Sequence, residues 1–153
     1  EPERCLAALG PRMLALAAER TRGAHPYYVP PEHTAFAREV MGPDALLAPE
    51  QKVVLETDPT TAREIARANI SGYLRLPNYV NNLLRLGYTT DDVEQCTDRL
   101  VDAIVAWGDL DAIRARVQAH HDAGADHVCL QVLPYADATD VRRAWRELAS
   151  ALL

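Results

Sequence analysis

QKVVLETDPTTAREIAR, residues 51–67, holds a strand, a stop and the start of a helix in one short run. Val53 and Val54 are β-branched and sit mid-strand in residues 51–57, where such side chains pack well on a pleated surface. Asp58 then supplies an N-capping carboxylate and Pro59 suits the first helical position, whose N–H would be unpaired anyway. The helix runs from there to about Arg75. This strand-to-helix unit recurs on both sides of the stretch, and its recurrence decides the fold.

Upstream, residues 4–9 read as a short buried strand that meets Gly10-Pro11 and a helix over 12–21, with Met13, Leu14, Ala17 and Ala18 on one face. Gly23 breaks that helix, residues 24–29 form a second strand-like run, and Pro30 and Pro31 open a helix that ends near MGPD. Downstream, residues 76–109 are helical but interrupted, with a glycine-containing turn and an N-cap at Thr89 or Thr90. Asp109 starts a further helix with Ile113 and Val117 on one face. HVCLQVL, residues 127–133, is the last strand. Asp137 or Thr139 caps the last helix, whose stripe of Val141, Trp145, Leu148 and Leu152 is spaced to pack on a sheet.

Four strands, each followed by at least one helix, define an α/β fold with a parallel sheet and right-handed crossovers. The units fall at 4–22, 24–42, 51–123 and 127–153 within a single domain, 1–153. A doubly wound domain usually has a fifth strand, whereas a (β/α)8 TIM barrel has eight over ~250 residues. Four units in 153 residues therefore amount to half a barrel, and Glu1 in the place of a methionine points the same way. The alternative is a small open α/β domain.

Composition narrows the function classes. Hydrophobic residues are 48% and charged residues 25%, and no apolar run approaches the ~18 residues that cross a bilayer. The formal charge of -6 is interspersed along helices instead of gathered into a basic face, which argues against nucleic acid. Three cysteines without a CxxC pattern suit a reducing, cytoplasmic chain, and the opening residues lack a secretory signal pattern. His120 and His121 are adjacent, so they point to different sides of a helix, and with His127 they do not make a metal site. Dinucleotide, P-loop and nucleophile-elbow motifs are absent.

In both candidate folds ligands bind at the carboxyl ends of the strands. Those ends read Ala7-Ala8-Leu9-Gly10-Pro11, His25-Pro26-Tyr27-Tyr28, Glu56-Thr57-Asp58 and Gln131-Val132-Leu133-Pro134-Tyr135. Small residues let a flat ligand approach the backbone, and a glycine ahead of a helix offers free N–H groups to a polar edge or phosphate. Gly10-Pro11 is equally a tight turn that needs those two residues. His25 is either a general acid or ligand donor, because it titrates near neutrality, or a satisfied histidine beside a turn. Glu56 and Asp58 could be paired carboxylates, but a cap explains Asp58 better.

LAALGPRMLALAAERTRGAHPYYVPPEHT resembles the luciferase-like monooxygenase superfamily, and within it the branch of oxidoreductases that use the deazaflavin coenzyme F-420 (F420). The likeness continues through VVLETDPTTAREIAR, YVNNLLRLGYTTDD and LVDAIVAWGDLDAIRARVQAHHDAGADHVCLQVL. It implies a (β/α)8 barrel of which these segments are strands five to eight, the C-terminal half. It implies that Ala7, Ala8, Leu9, Gly10 and Pro11 lie against the cofactor ring and that His25, Pro26 and Tyr27 border the ring or its phosphate-bearing tail. Asp109 and Leu110 stand where the family has Thr-Pro, and Asp keeps the capping role.

The implied reaction is hydride transfer between the deazaflavin and a small organic substrate, with no catalytic residue assigned. A flavin mononucleotide (FMN) monooxygenase of the same superfamily is the second reading. A non-catalytic half-barrel that docks a partner is the third. The implied partners are the missing N-terminal half or a second copy that covers the open sheet edges, with no nucleic acid and no membrane.

Overall fold

Proline stands in the first turn of four helices of the computed structural model: α1 (Pro11–Arg20), α2 (Pro31–Met41), α3 (Pro59–Ile70) and α4 (Pro77–Arg85). Residues 4–134 and 138–152 are described, the side chains of 138–140 excepted. The capping expectations for Asp58, Thr89 and Asp109 hold. Asp58 accepts from the Thr61 amide at 2.8 Å, and Asp109 accepts from the Ala112 amide at 2.9 Å at the head of α7 (Leu110–Asp122). Thr89 and Asp92 form a reciprocal capping box that opens α5 (Thr90–Gln95). A 3-10 helix, Ser71–Arg75, follows α3, and α6 (Asp98–Ile104) follows α5. Of the two expected caps for α8 (Ala138–Leu152), Asp137 lies outside the described residues and so does the Thr139 side chain.

Every strand pairing among the described residues is parallel, as the strand–helix alternation requires. One three-stranded sheet is ordered β1 (Cys5–Leu6), β2 (Gly23–Ala24), β3 (Leu46–Leu47); the other is ordered β5 (Val105–Trp107), β4 (Glu50–Val54), β6 (Cys129–Val132). The two sheets meet in one extended segment, residues 46–54. Its even residues face β2, with Leu46, Ala48 and Glu50 donating to Arg22, Ala24 and Pro26. Its odd residues face β6, where Asp126, Cys129 and Leu133 donate to Leu47, Pro49 and Val53. Further along, β5 takes over the even edge, and Gly108 donates to Val54.

Among the described residues, six short paired strands thus replace the four expected, for local reasons. Residues 7–9 and 25–29 are not strand, although His25 and Pro26 keep backbone bonds to Leu6 and Glu50, and Tyr28 adopts a left-handed conformation, φ 62°, that no strand continues through. Pro49 lacks an N–H and separates β3 from β4. At three residues, β5 is too short to show a period inside a helical stretch.

Gly23 is where β2 and β3 touch most closely: a Cβ there would stand 1.9 Å from the Leu46 carbonyl oxygen. Only glycine fits. The outer face of β4 packs Val53 with Ala106, Ile113, Val132 and Leu148 beneath α7 and α8. Within the expected α8 stripe Leu148 is buried, while Trp145 remains 43% exposed. The face expected on α1 holds for Leu14 and Ala17, whereas Met13 is turned outward at 43% exposure. Helices α3 to α6 enclose a second core with Tyr28, Leu83, Leu100, Ile104 and Val105. Folding of that excursion back toward the carboxyl ends of the strands builds the site.

Candidate functional site

Four of the eight residues singled out in the sequence, Ala7, Ala8, Leu9 and Gly10, form one wall of a cavity of about 370 Å3 at the end of β1. A fifth, Tyr27, closes it from the end of β2, beside Tyr79 of α4. Met13 of α1 completes the apolar part. Asn78, Asn81 and Arg85, also on α4, supply the polar part. The size falls in the ordinary range for small-molecule sites, roughly 300–1,000 Å3, and mostly apolar walls with a few polar groups are the usual makeup.

The other three residues of the set do not line this cavity. Pro11 starts α1, with the Gly10 carbonyl accepting from the Met13 and Leu14 amides at 3.1 and 3.0 Å. The Nδ1 of His25 is 2.6 Å from the Ala48 carbonyl, and the Pro26 carbonyl accepts from the Glu50 amide at 2.9 Å. They hold the end of β2 against the shared strand. Of His25, the structure shows a ring anchored through Nδ1 to the neighbouring strand. Glu56 accepts from the Asp58 amide at 2.8 Å while Asp58 caps α3, so they are turn and cap, not a working pair of carboxylates.

Behind Tyr27 lies a polar network the sequence reading missed. Lys52, the only lysine, is 1% exposed and its ammonium is 2.9 Å from Glu50 and 2.8 Å from Gln131 Oε1. The same ammonium stands 3.9 Å from the Tyr27 ring centroid and 5.1 Å from that of Tyr73, within cation–π range. The signal was present: Glu50 and Lys52 are charged at a period of two in a strand buried throughout, which puts them on one face together.

Donor chemistry fixes the order of protons in this network. Lysine has only donors, so the amide oxygen of Gln131 must face it. The Tyr27 hydroxyl, 2.8 Å from that oxygen, must then donate to it. Tyr73, 3.0 Å away, must in turn donate to Tyr27. That bond, with burial second, pushes the Tyr73 phenol above its ordinary value. Glu50 also accepts from the Tyr28 amide at 3.2 Å. Tyr28 stacks on Tyr73 at 5.0 Å, and burial pushes its own phenol far above the normal range. Tyr27 thus enters the cavity wall with its hydroxyl fully committed.

On the far side, Arg85 donates to Asn82 Oδ1 at 3.1 Å and its other terminal nitrogen would stand 3.9 Å from a Cβ built on Gly10. Asn82 is buried, and its Nδ2 has no hydrogen-bond partner. A buried unpaired donor costs ~1–3 kcal/mol, which the local fold carries in holding this amide toward the guanidinium. His33, at the head of α2, has one nitrogen 2.9 Å from the Leu9 carbonyl; burial, and after it Arg85, holds its pKa below the ordinary histidine value.

His120 forms a separate buried relay on the opposite face. Gln51 donates through Nε2 to the Lys52 and Ile104 carbonyls, so its Oε1 accepts from His120 Nε2 at 2.9 Å. With the ring neutral, its Nδ1 accepts from the Thr34 hydroxyl at 2.8 Å. Burial, then Arg116, pulls its pKa down to about 4. His121 is exposed, and among the described residues no group of His, Cys, Asp and Glu is arranged to hold a metal. No helix among them is long and apolar enough to cross a membrane.

No family model matches the chain, and no curated protein does. Solved structures do. An F420-dependent secondary alcohol dehydrogenase, in complex with an F420-acetone adduct, superposes with a TM-score of 0.71 at 13% identity over 100% of this chain and 49% of that one. The coenzyme F420-dependent tetrahydromethanopterin reductase of Methanopyrus kandleri gives 0.73 at 19% identity over 96% of this chain and 50% of that one. At these identities the likeness is one of fold, and the chain spans about half the length of both.

Proposed function

We propose that this chain is the cofactor-facing, C-terminal half of a deazaflavin-dependent oxidoreductase that passes hydride between coenzyme F-420 and an organic substrate. One observation carries the reading. The strand end that resembles the cofactor-facing motif, Ala7-Ala8-Leu9-Gly10, is a wall of a cavity of suitable size and lining. Two solved structures of similar fold are F420-dependent enzymes, which supports the deazaflavin over flavin mononucleotide.

When bound, the cofactor supplies the hydride chemistry, and the protein supplies position and electrostatics. The residues present fit one side of a flat ring. Ala7, Ala8 and Gly10 leave the backbone approachable, while Tyr27 and Tyr79 oppose them with aromatic surface. Tyr27 is held still by Gln131 and Tyr73, so it acts as a wall and not as a proton donor. Pro11, His25 and Pro26 fix the backbone that carries the wall.

The strand order β1, β2, the shared segment and β6, all parallel, suits half of a (β/α)8 barrel. The other half would come from an N-terminal partner segment or from a second copy, closing the outer edges of β1 and β6.

Titration of this chain with coenzyme F-420 and with flavin mononucleotide, read by cofactor fluorescence, tests the reading. Expected is deazaflavin binding weaker than micromolar, preferred over the flavin and lost in Ala7→Leu, whose side chain would fill the ring wall. Submicromolar affinity would contradict a half site. Absence of deazaflavin binding, or preference for the flavin, would overturn the cofactor assignment.

A further inference from the structure

The geometry points to the class of substrate: an organic anion, carboxylate- or phosphate-bearing, whose charged group is received by Arg85 with Asn81 and Asn78. This inference rests on the cavity at the end of β1 being the ligand site. Residues 78, 81 and 85 stand at i, i+3 and i+7 on α4, so one helix face presents all three to the cavity.

Among the described residues that line the cavity, Arg85 is the one charged side chain and none is a carboxylate. Elsewhere Arg38, Arg63, Arg67, Arg99 and Arg114 each meet an aspartate. The side-chain partner of Arg85 is instead the neutral oxygen of Asn82. One of its five N–H donors is used there, and the guanidinium lies over the Gly10 elbow.

Asn82 makes this arrangement more than a solvated arginine. Its amide is buried and leaves Nδ2 unpartnered while its oxygen faces Arg85, so a buried group is spent on aiming an exposed one. A cation that is oriented but not neutralised suits an incoming anion, and the planar guanidinium fork matches the paired oxygens of a carboxylate or phosphate. Asn78 and Asn81 add amide donors and acceptors beside it on the same helix face.

The deazaflavin coenzyme has an anionic tail of its own, so the test separates substrate from cofactor. Benzoate and benzamide, alike in shape and different in charge, are titrated against the chain and its Arg85→Gln and Arg85→Lys variants with tyrosine fluorescence as the readout. Coenzyme F-420 and a tail-less deazaflavin are run in parallel. Benzoate should bind about tenfold more tightly than benzamide. That advantage should vanish in Arg85→Gln and survive in part in Arg85→Lys, with benzamide binding unchanged.

Equal affinity for the two probes, or an advantage that persists in Arg85→Gln, overturns the inference. So does loss of coenzyme F-420 binding in Arg85→Gln with the tail-less deazaflavin unaffected, since Arg85 would then serve the cofactor. If neither deazaflavin binds while the benzoate advantage follows Arg85, the cofactor assignment falls and the anion subsite stands.

Discussion

Lys52 and Glu50, two residues apart on one strand, meet at 2.9 Å with side chains only 1% and 5% exposed. Removing one partner strands the other charge in the interior, which typically costs 3–5 kcal/mol. Lys52→Met should therefore destabilise by about 3–5 kcal/mol in urea unfolding. The double variant Glu50→Gln/Lys52→Met should recover most of that, because a glutamine still accepts from the Tyr28 amide. A double variant as unstable as the single one would mean that the loss lies in packing around the Tyr27 ring instead.

Acid should act through His120. Its folded pKa is lowered from 6.5 to about 4, so the unfolded chain binds the proton first as pH falls. The stability conferred by the neutral ring is complete above pH 6.5 and declines down to about 4, by ~1.4 kcal/mol per pH unit and about 3 kcal/mol in all. Denaturant midpoints measured across that window in the chain and in His120→Gln check this. The slope should flatten in the variant.

Gly23→Ala should prevent β2 from pairing with β3. The added carbon would lie 1.9 Å from a backbone oxygen and 2.6 Å from its carbonyl carbon, neither of which can swing away like a side chain. A loss of at least ~3 kcal/mol, the upper range for overpacking, is expected. Circular dichroism melting gives the answer, and a variant within 1 kcal/mol of the parent, a bound set by ordinary surface changes of about half that, would contradict the geometry.

Asp92 ties two helices together. It accepts from the Thr89 amide and hydroxyl, the Thr97 hydroxyl and Arg99, at 2.6–2.9 Å. The Thr97 bond foremost, then the Thr89 amide, holds its carboxyl well below the usual range. Asp92→Ala should cost about 2 kcal/mol, the upper end for losing an N-cap, because α6 loses an anchor as well as α5. Hydrogen exchange should then quicken over residues 89–104 and leave β4 untouched.

The parallel alternation and the caps at Asp58, Thr89 and Asp109 were legible because each is a local rule, set by residues within a turn of one another. The wall from Ala7 to Gly10 was legible for a related reason, as small residues at a strand end say what can approach. Strands β3 and β5 were not legible. Leu46-Leu47 is half of a longer segment cut by Pro49, and residues 105–107 are extended only because β4 offers them an edge. The α4 wall was hidden more deeply, since nothing local to Asn78, Asn81 and Arg85 says that the excursion folds back over β1. Their spacing was visible; their destination was tertiary. Lys52 lay within the strand read at residues 51–57, but its partners Tyr27 and Gln131 are remote in sequence.

Residues 46–54 serve two sheets at once, one edge given to β2 and then β5, the other to β6. Loss of either sheet would strip one edge of a segment on which the other is built. The two sheets are therefore one cooperative unit, and the chain should melt in a single transition. The amides of Leu46, Ala48 and Glu50 should be among the last to take up deuterium, exchanging only when the whole molecule opens.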